Sequence, residues 1–177
     1  MLEEIINVIA ATAEQNRTKI GACAAYGARC ERWFQVELFC AFVTHFQSRK
    51  STEVALERET IDLVVSDLEQ CYLIELKTVP CNYGISGKNI TQSIASVRDD
   101  LQKLQKLCTP NVTGLAAWLA YPVPEQTPPS WSMHLSRVEQ VASRTLLSAK
   151  VPLWAEYKAH LYIMQAQAAA AASIGSH

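Results

Sequence analysis

The chain has 177 residues, 49% of them hydrophobic, which is enough to bury one substantial core but too little for two comfortable domains. Its 16 Lys and Arg residues against 17 Asp and Glu residues give a net charge of -1. This balance excludes a protein that attracts nucleic acid through an overall basic field. We therefore expect a single domain over residues 1–164, followed by an Ala-rich C-terminal tail over residues 165–177.

The cysteines and the apolar segments indicate the cellular setting. The six cysteines form no CxxC pair, so a zinc site or a disulfide framework is not expected. The acidic start MLEE differs from the basic start of a secretory signal, and the most apolar stretch, residues 115–123, is too short to span a bilayer. We expect a soluble cytoplasmic protein with no membrane partner.

Two helices are predicted in the first part of the chain. Apolar residues at three- and four-residue steps predict an amphipathic helix over residues 2–15. A loop is expected next, with Gly21 and Gly27 as helix breakers. A second helix, rich in large apolar side chains, is predicted over residues 28–46.

The middle of the chain predicts two strands, a helix and a further strand. Residues 60–65 and 71–79 are β-branched, apolar runs around a short polar segment, the pattern of a hairpin. After a glycine-bearing loop, apolar periodicity predicts a long helix from Ile90 to near Pro110. Residues 115–121 predict another strand.

The last third has weaker patterns. Residues 122–129 hold four of the seven prolines and predict a stiff surface connection. Residues 131–141 are compatible with strand or helix, residues 151–157 are apolar without a clear period, and residues 165–172 are low-complexity, either helical or frayed. The order of elements predicts an α/β fold with a mixed central β-sheet flanked by helices.

The predicted hairpin places two carboxylates opposite each other. With a loop over residues 67–70, the register pairs Leu63 with Ile74 and sets Asp62 directly across from Glu75. Directly opposed side chains have Cβ atoms about 5 Å apart, and like charges at that distance are destabilising unless a cation lies between them. A hard divalent ion is the natural candidate.

Lys77 completes a chemically coherent set. It projects from the same strand face as Glu75, displaced by roughly 6.5 to 7 Å along the strand. Mg²⁺ prefers a few carboxylates together with waters and substrate oxygens, and a nearby ammonium group can orient a water or offset charge on a phosphate. Asp62, Glu75 and Lys77 therefore suit phosphodiester hydrolysis.

The alternative is that these residues form only the solvated face of an amphipathic hairpin. Against it, the same face carries Val64 and Leu73, and charges on a covered face need partners.

Glu37 is a further candidate, on the second helix. Apolar residues lie one turn before it, at 33–34, and one turn after it, at 40–41. A carboxylate in such surroundings is costly unless it is paired or near a metal. Two interpretations remain open, a role at the metal site and an ion pair with an arginine such as Arg29.

This order of elements resembles the PD-(D/E)XK nuclease superfamily, which has the restriction-endonuclease-like fold. The resemblance rests on a helix with Glu37, a strand with Asp62, a strand with the sequence IELK at 74–77, then a helix and a strand. It covers residues 28–121, about half of the chain, and twelve residues separate the Asp from the Glu. Ile61 stands in place of the name-giving proline, which donates no ligand.

The resemblance implies functions for individual residues. Asp62 and Glu75 would hold Mg²⁺ or Mn²⁺, Lys77 would activate or position the attacking water, and Glu37 would support the metal site. Gln92, one turn into the next helix, resembles the polar residue that some branches of the superfamily place near the site.

Nucleic-acid contacts require basic residues near the site, because the whole chain is nearly neutral. Lys88 is the strongest candidate, since it lies in the glycine-bearing loop between the ExK strand and the next helix; Gln92 and Arg32 are further ones. Most single basic residues are ordinary solvated charges. The other basic candidates are Arg29, Arg49, Lys50, Lys103, Lys106, Arg137 and Arg144.

Two functions follow. The first is a Mg²⁺-dependent deoxyribonuclease, an endonuclease of restriction, repair or defence, acting as a homodimer because one such site cuts one strand. The second is a non-catalytic nucleic-acid-binding or assembly subunit on the same fold. The presence of Asp, Glu and Lys together favours the first. The near-neutral charge favours the second, or a nuclease that relies on a protein partner for DNA affinity.

Overall fold

The computed structural model describes residues 1–58, 60–81, 90–154 and 156–168. Five helices and six strands lie in these ranges. In chain order they are α1 Leu2–Gln15, α2 Arg17–Ala25, α3 Glu31–Phe46, β1 Glu53–Arg58, β2 Ile61–Ser66, β3 Cys71–Pro80, α4 Ile90–Leu107, β4 Val112–Pro124, α5 Pro129–Glu139, β5 Ala142–Trp154 and β6 Tyr157–Ala166.

The six strands form one mixed sheet in the order β1-β2-β3-β4-β6-β5. Strands β3 and β4 are parallel, and every other neighbouring pair is antiparallel. A parallel pair requires a crossover connection, and α4 lies within it. Helix α4 therefore runs back along β3, antiparallel to it.

Helices cover both faces of the sheet. One apolar core lies between the sheet and α1 to α3, and includes Phe34, Phe42 and Ile74. A second core lies between the opposite face and α4 and α5, and includes Leu101 and Trp118. The predicted α/β architecture with a mixed sheet flanked by helices is confirmed.

Several elements agree with the sequence analysis. Helices α1 and α4 and the β2–β3 hairpin lie where periodicity predicts them. The predicted hairpin register is confirmed as far as Leu63 and Ile74, but the predicted pair of Asp62 with Glu75 lies beyond the last paired residues of the two strands. The six cysteines are free, as their spacing predicts. Within the described ranges, no helix is both long and apolar enough to cross a membrane.

The loop predicted after α1 is wrong, because residues 17–25 form α2. Gly21 lies inside this helix, where a glycine costs about 1 kcal/mol relative to alanine. Burial of Ile20 and Ala24 in the first core offsets that cost. Gly27 does act as a breaker, since it has a φ of 65° just after α2.

The proline-rich segment also differs from the prediction. Strand β4 continues through a cis Tyr121–Pro122 peptide bond as far as Pro124, with an irregular register between Ala120 and Val123. Only the remainder of the segment, before α5, is the expected connection. Residues 131–141, which were compatible with strand or helix, are mostly helical and lie in α5. In the apolar run at 151–157, residues 151–154 are the end of β5 and Tyr157 is the start of β6.

The sequence pattern did not predict strands β1 and β5 or most of β6, and the predicted tail begins inside the sheet. Strand β1 lies at one edge and pairs with β2. Strand β6 runs to Ala166, two residues into the predicted tail, and residues 169–177 lie outside the described residues.

Candidate functional site

The candidate site lies where β2 separates from β3. The paired residues of the two strands run from Ser66 and Cys71 to Leu63 and Ile74. Strand β3 remains paired with β4 as far as Pro80. Residues 75–80 of β3 therefore have an edge that β2 does not cover, and we call this edge the β3 notch.

Two carboxylates satisfy the backbone of the notch. The Leu76 N–H donates to Asp62 Oδ2 at 2.8 Å, and the Thr78 N–H donates to Glu31 Oε2 at 2.8 Å. The next residue on the same edge, Pro80, has no N–H. Buried backbone donors require acceptors, so Asp62 and Glu31 replace the hydrogen bonds that a paired strand would make.

Helix α3 fixes the position of Asp62. The Gln35 side chain, which is 3% exposed, donates from Nε2 to the backbone carbonyl of Asp62 at 3.1 Å and to Oδ1 at 3.4 Å. Glu31 and Gln35 are four residues apart and lie on one face of the helix. One face of α3 thus holds both β2 and β3 at the notch.

Glu75 is the buried carboxylate of the site, with a relative exposure of 4%. The Lys103 ammonium group donates to Glu75 Oε1 and to the Thr60 carbonyl. Burial raises the pKa of Glu75 to about 7, the hydrogen bond from Lys103 opposes this rise, and the charge of Asp62 adds to it. Asp62 and Glu75 are therefore close enough to repel each other.

Lys77 lies between two other carboxylates. Its Nζ is 3.3 Å from Asp100 Oδ2 and 3.6 Å from Glu31 Oε1. Burial alone would lower the pKa of Lys77, but Asp100 and Glu31 raise it above its ordinary value. Burial raises the pKa of Asp100, and Lys77 opposes that rise. Lys77 is accordingly a charged ammonium group at neutral pH.

Helix α4 delivers Asp100 and Lys103 to the notch. The two residues are one turn apart, beside the stripe that packs on the sheet. Because α4 runs antiparallel to β3, Lys103 meets Glu75 while Asp100 meets Lys77. The buried residues of this helix are Ile90, Ile94, Val97, Leu101 and Leu104.

The structure thus brings together three residues singled out by the sequence, Asp62, Glu75 and Lys77. It adds three more residues, Glu31, Asp100 and Lys103. Four carboxylates surround two ammonium groups, a surplus of two negative charges when all six groups are ionised. A cluster of this composition favours a cation over an anion.

Oxygen donors for a hard cation are present. Within the described ranges, no group of three or more His, Cys, Asp or Glu side chains is arranged to hold a metal ion. Mg²⁺ commonly uses one or two carboxylates plus waters, and Asp62, Glu75 and the Thr60 carbonyl supply oxygens of this kind. The donor chemistry fits Mg²⁺ or Mn²⁺, although Lys103 occupies Glu75 Oε1 in this structure.

Glu37 is not part of this cluster. Its Oε1 accepts hydrogen bonds from Lys19 Nζ at 2.9 Å and Trp33 Nε1 at 3.1 Å, and Glu37 lines an open groove of about 430 Å³ between α1 and α3. It follows Gln35 by two residues, a rotation of about 200° around the helix. The ion-pair interpretation therefore applies, with Lys19 rather than Arg29 as the partner.

The residues predicted to contact nucleic acid lie in separate parts of the chain. Gln92 is exposed in the first turn of α4, about 12 Å along the helix axis from Asp100, and the helical repeat places it on nearly the same face as Lys103. Arg32 is exposed beside Glu31 at the start of α3. Lys88 lies outside the described residues.

Glu31 and Asp100 were not predicted from the sequence, and Lys103 was predicted only as one of several basic candidates for nucleic-acid contact. A signal for Glu31 exists, because it precedes Gln35 by four residues and Leu38 by seven, the spacing of one helix face. Asp100 and Lys103 carry a weaker signal. Their proximity to β3 depends on the crossover, which sequence spacing does not reveal.

Comparison with protein-family models, with curated proteins and with solved structures found no match for this chain. The geometry of the notch is therefore the basis for its functional interpretation.

Proposed function

We propose that this protein is a Mg²⁺- or Mn²⁺-dependent nuclease that hydrolyses DNA phosphodiester bonds at the β3 notch, on a restriction-endonuclease-like core. The observation that supports this proposal most directly is the convergence of Asp62, Glu75 and Lys77 at a break between two strands. The order α3-β1-β2-β3-α4-β4 also agrees with the helix, strands, helix and strand of the resemblance.

Each residue has a chemical role in this proposal. Asp62 and Glu75 would hold the ion, which when bound supplies Lewis-acid activation of a phosphate oxygen and of the attacking water. Lys77 stays protonated between Asp100 and Glu31, so it donates hydrogen bonds and offsets charge on the phosphate instead of acting as a base. Glu31 and Asp100 are positioning residues for Lys77.

A specific observation favours the second function, a non-catalytic binding or assembly subunit. Asp62 and Glu31 already satisfy backbone donors, while Glu75 and Asp100 are already paired with lysines. A purely structural network would show the same pairing. Activity and metal binding therefore have to be measured together.

The test is incubation of the purified protein with single-stranded, duplex and branched DNA, and with RNA, in Mg²⁺ or Mn²⁺. We expect DNA cleavage that EDTA, Asp62→Asn and Lys77→Ala each abolish. Glu37→Gln is the matched control, because its carboxylate faces the α1–α3 groove, and it should cleave like the wild type. Cleavage that survives EDTA or Lys77→Ala contradicts the proposed site.

Two further outcomes separate the functions and define the partners. Absence of cleavage on every substrate, together with no metal beside Asp62 and Glu75 in a crystal soaked in Mn²⁺, would favour the non-catalytic subunit. Cleavage of both strands of a duplex requires two notches, so we propose a homodimer on DNA. Sedimentation of the protein with and without duplex measures this directly.

A further inference from the structure

The Lys103 ammonium group has an unusual position among the groups of the notch. It donates both to Glu75 Oε1, on a side chain that is 5% exposed, and to the backbone carbonyl of Thr60. One oxygen belongs to β3 and the other lies just before β2. A single positive charge therefore joins the two sides of the notch.

We propose that Lys103 is a tethered competitor for the divalent ion: its ammonium group occupies the cation position of the notch and must leave Glu75 before a metal ion binds there. This inference rests on the proposed function, because it concerns the same metal site.

The Lys103 ammonium group and a divalent ion compete for the same oxygen atom, Glu75 Oε1. Mg²⁺ binds oxygens at about 2.0 to 2.1 Å and requires nearly ideal octahedral geometry. An ammonium group hydrogen-bonded to Glu75 Oε1 fills the space that such an ion needs at this atom. The ammonium group and the ion also repel each other, so the two occupy the position in turn.

The two lysines of the notch differ in how easily their ammonium groups can move away from the carboxylates. The Lys103 side chain is 35% exposed, and its flexible four-carbon stem lets the ammonium group move into solvent. Lys77 is 24% exposed and lies between Asp100 and Glu31. Metal binding should therefore displace Lys103 and leave Lys77 in place.

The metal-free notch also requires this charge. The Glu75 carboxylate is almost fully buried and is repelled by Asp62, and a buried carboxylate without a partner is strongly unfavourable. Lys103 relieves this repulsion when the ion is absent. Lys103 consequently stabilises the empty site and weakens its apparent affinity for metal.

Isothermal titration of Mg²⁺ into wild type and Lys103→Met, without nucleic acid, tests the inference. The titration is run at about pH 8.5, which favours the ionised form of the carboxyl groups in both proteins. Loss of a charge-assisted competitor should tighten binding by about tenfold. The control is Lys106→Met, an exposed lysine one turn further along α4, which should bind like the wild type.

A second measurement uses the wild-type protein and does not depend on how the variant folds. Lysine acetylation is followed by mass spectrometry with and without Mg²⁺, with Lys106 as the internal reference. Release of Lys103 from Glu75 should increase its acetylation rate several-fold when Mg²⁺ binds, while the rate at Lys106 stays constant.

The outcomes distinguish this inference from the proposed function. If Mg²⁺ binds the wild type but Lys103→Met binds no more tightly and Lys103 acetylation does not change, the competition is overturned and the metal site stands. If Mg²⁺ binds neither protein, both the metal site and the competition are overturned.

Discussion

At the scale of single residues, the buried carboxyl group of Glu75 links folding to pH. Its pKa rises from 4.5 to about 7 in the folded protein, chiefly through burial, whereas the unfolded chain keeps the ordinary value. The folded state therefore binds this proton more tightly than the unfolded state. The resulting stabilisation is complete below about pH 4.5 and is lost as the pH rises towards 7.

Replacement of Glu75 by glutamine should remove this pH dependence. In EDTA, we expect the wild type to lose about 1 to 3 kcal/mol more unfolding free energy than Glu75→Gln between pH 5 and pH 8. Urea denaturation at a series of pH values measures the difference. Glu69→Gln, at an exposed position in the hairpin turn, should follow the wild type. Parallel curves for wild type and Glu75→Gln would contradict the prediction.

Asp62 has a structural and a proposed chemical role, and two substitutions separate them. Asp62→Ala removes the acceptor of the Leu76 N–H, which should cost about 1 to 3 kcal/mol of unfolding free energy. Asp62→Asn keeps an oxygen acceptor, so it should cost less, yet it should weaken Mn²⁺ binding because the amide is uncharged. Urea denaturation and titration calorimetry measure the two effects. Full Mn²⁺ affinity in Asp62→Asn would exclude this carboxylate as a ligand.

The outcomes at Asp62 and Glu37 show what a sequence can predict about single residues. Beyond Leu63 the strands separate, and Asp62 accepts from the Leu76 N–H instead of pairing with Glu75. The register up to that point follows from loop length and alternation and was predictable. The direction of Glu37 was not, because α3 is apolar on most sides, with Val36 51% and Val43 42% exposed. Apolar neighbours on such a helix do not identify its buried face.

At the scale of elements, two of the missed ones, α2 and β1, lack a clear internal pattern. Helix α2 has no continuous apolar face, and its packing against β5 supplies the stability that its sequence lacks. Strand β1 has the sequence EVALER, which is rich in helix-forming residues, and it is extended because it pairs with β2. Tertiary contacts override local propensity in both elements.

Alanine substitutions at two glycines test the packing between elements. The two expected changes in stability have opposite signs. A Cβ atom at Gly114 in β4 would lie 2.8 Å from Leu104 Cβ and 3.1 Å from Cys108 Sγ. Gly114→Ala should therefore destabilise the protein by about 1 to 3 kcal/mol, because α4 must move away from β4. A Cβ atom at Gly21 would lie 3.7 Å from Trp154, an ordinary contact.

Gly21→Ala should accordingly stabilise α2 by about 0.5 to 1 kcal/mol, the helical preference of alanine over glycine. Thermal unfolding of both variants beside the wild type measures the two shifts. Destabilisation by Gly21→Ala, or tolerance of Gly114→Ala, would show that the packing of α2 or α4 differs from this structure.

At the scale of the whole molecule, the negative charge of the protein disfavours binding of the proposed substrate, DNA. The net charge is -1, and the notch adds a local surplus of carboxylates around Asp62 and Glu75. A DNA phosphate that approaches these groups without a metal ion meets like charge. A bound divalent ion offsets this local negative charge, so DNA binding and metal binding should be coupled.

This coupling predicts that the protein binds duplex DNA far more tightly with a divalent ion than in EDTA. Fluorescence anisotropy of a labelled duplex in Ca²⁺, which accepts the same oxygen ligands, measures the affinity. We expect at least about tenfold tighter binding in Ca²⁺ than in EDTA, with the gain lost in Asp62→Asn and the affinity falling as salt is added. Glu37→Gln should keep the full gain, since its carboxylate pairs with Lys19 on the far side of α3. Equal affinity in Ca²⁺ and EDTA would mean that DNA is held by a surface other than the notch, because a phosphate at Asp62 and Glu75 requires the cation.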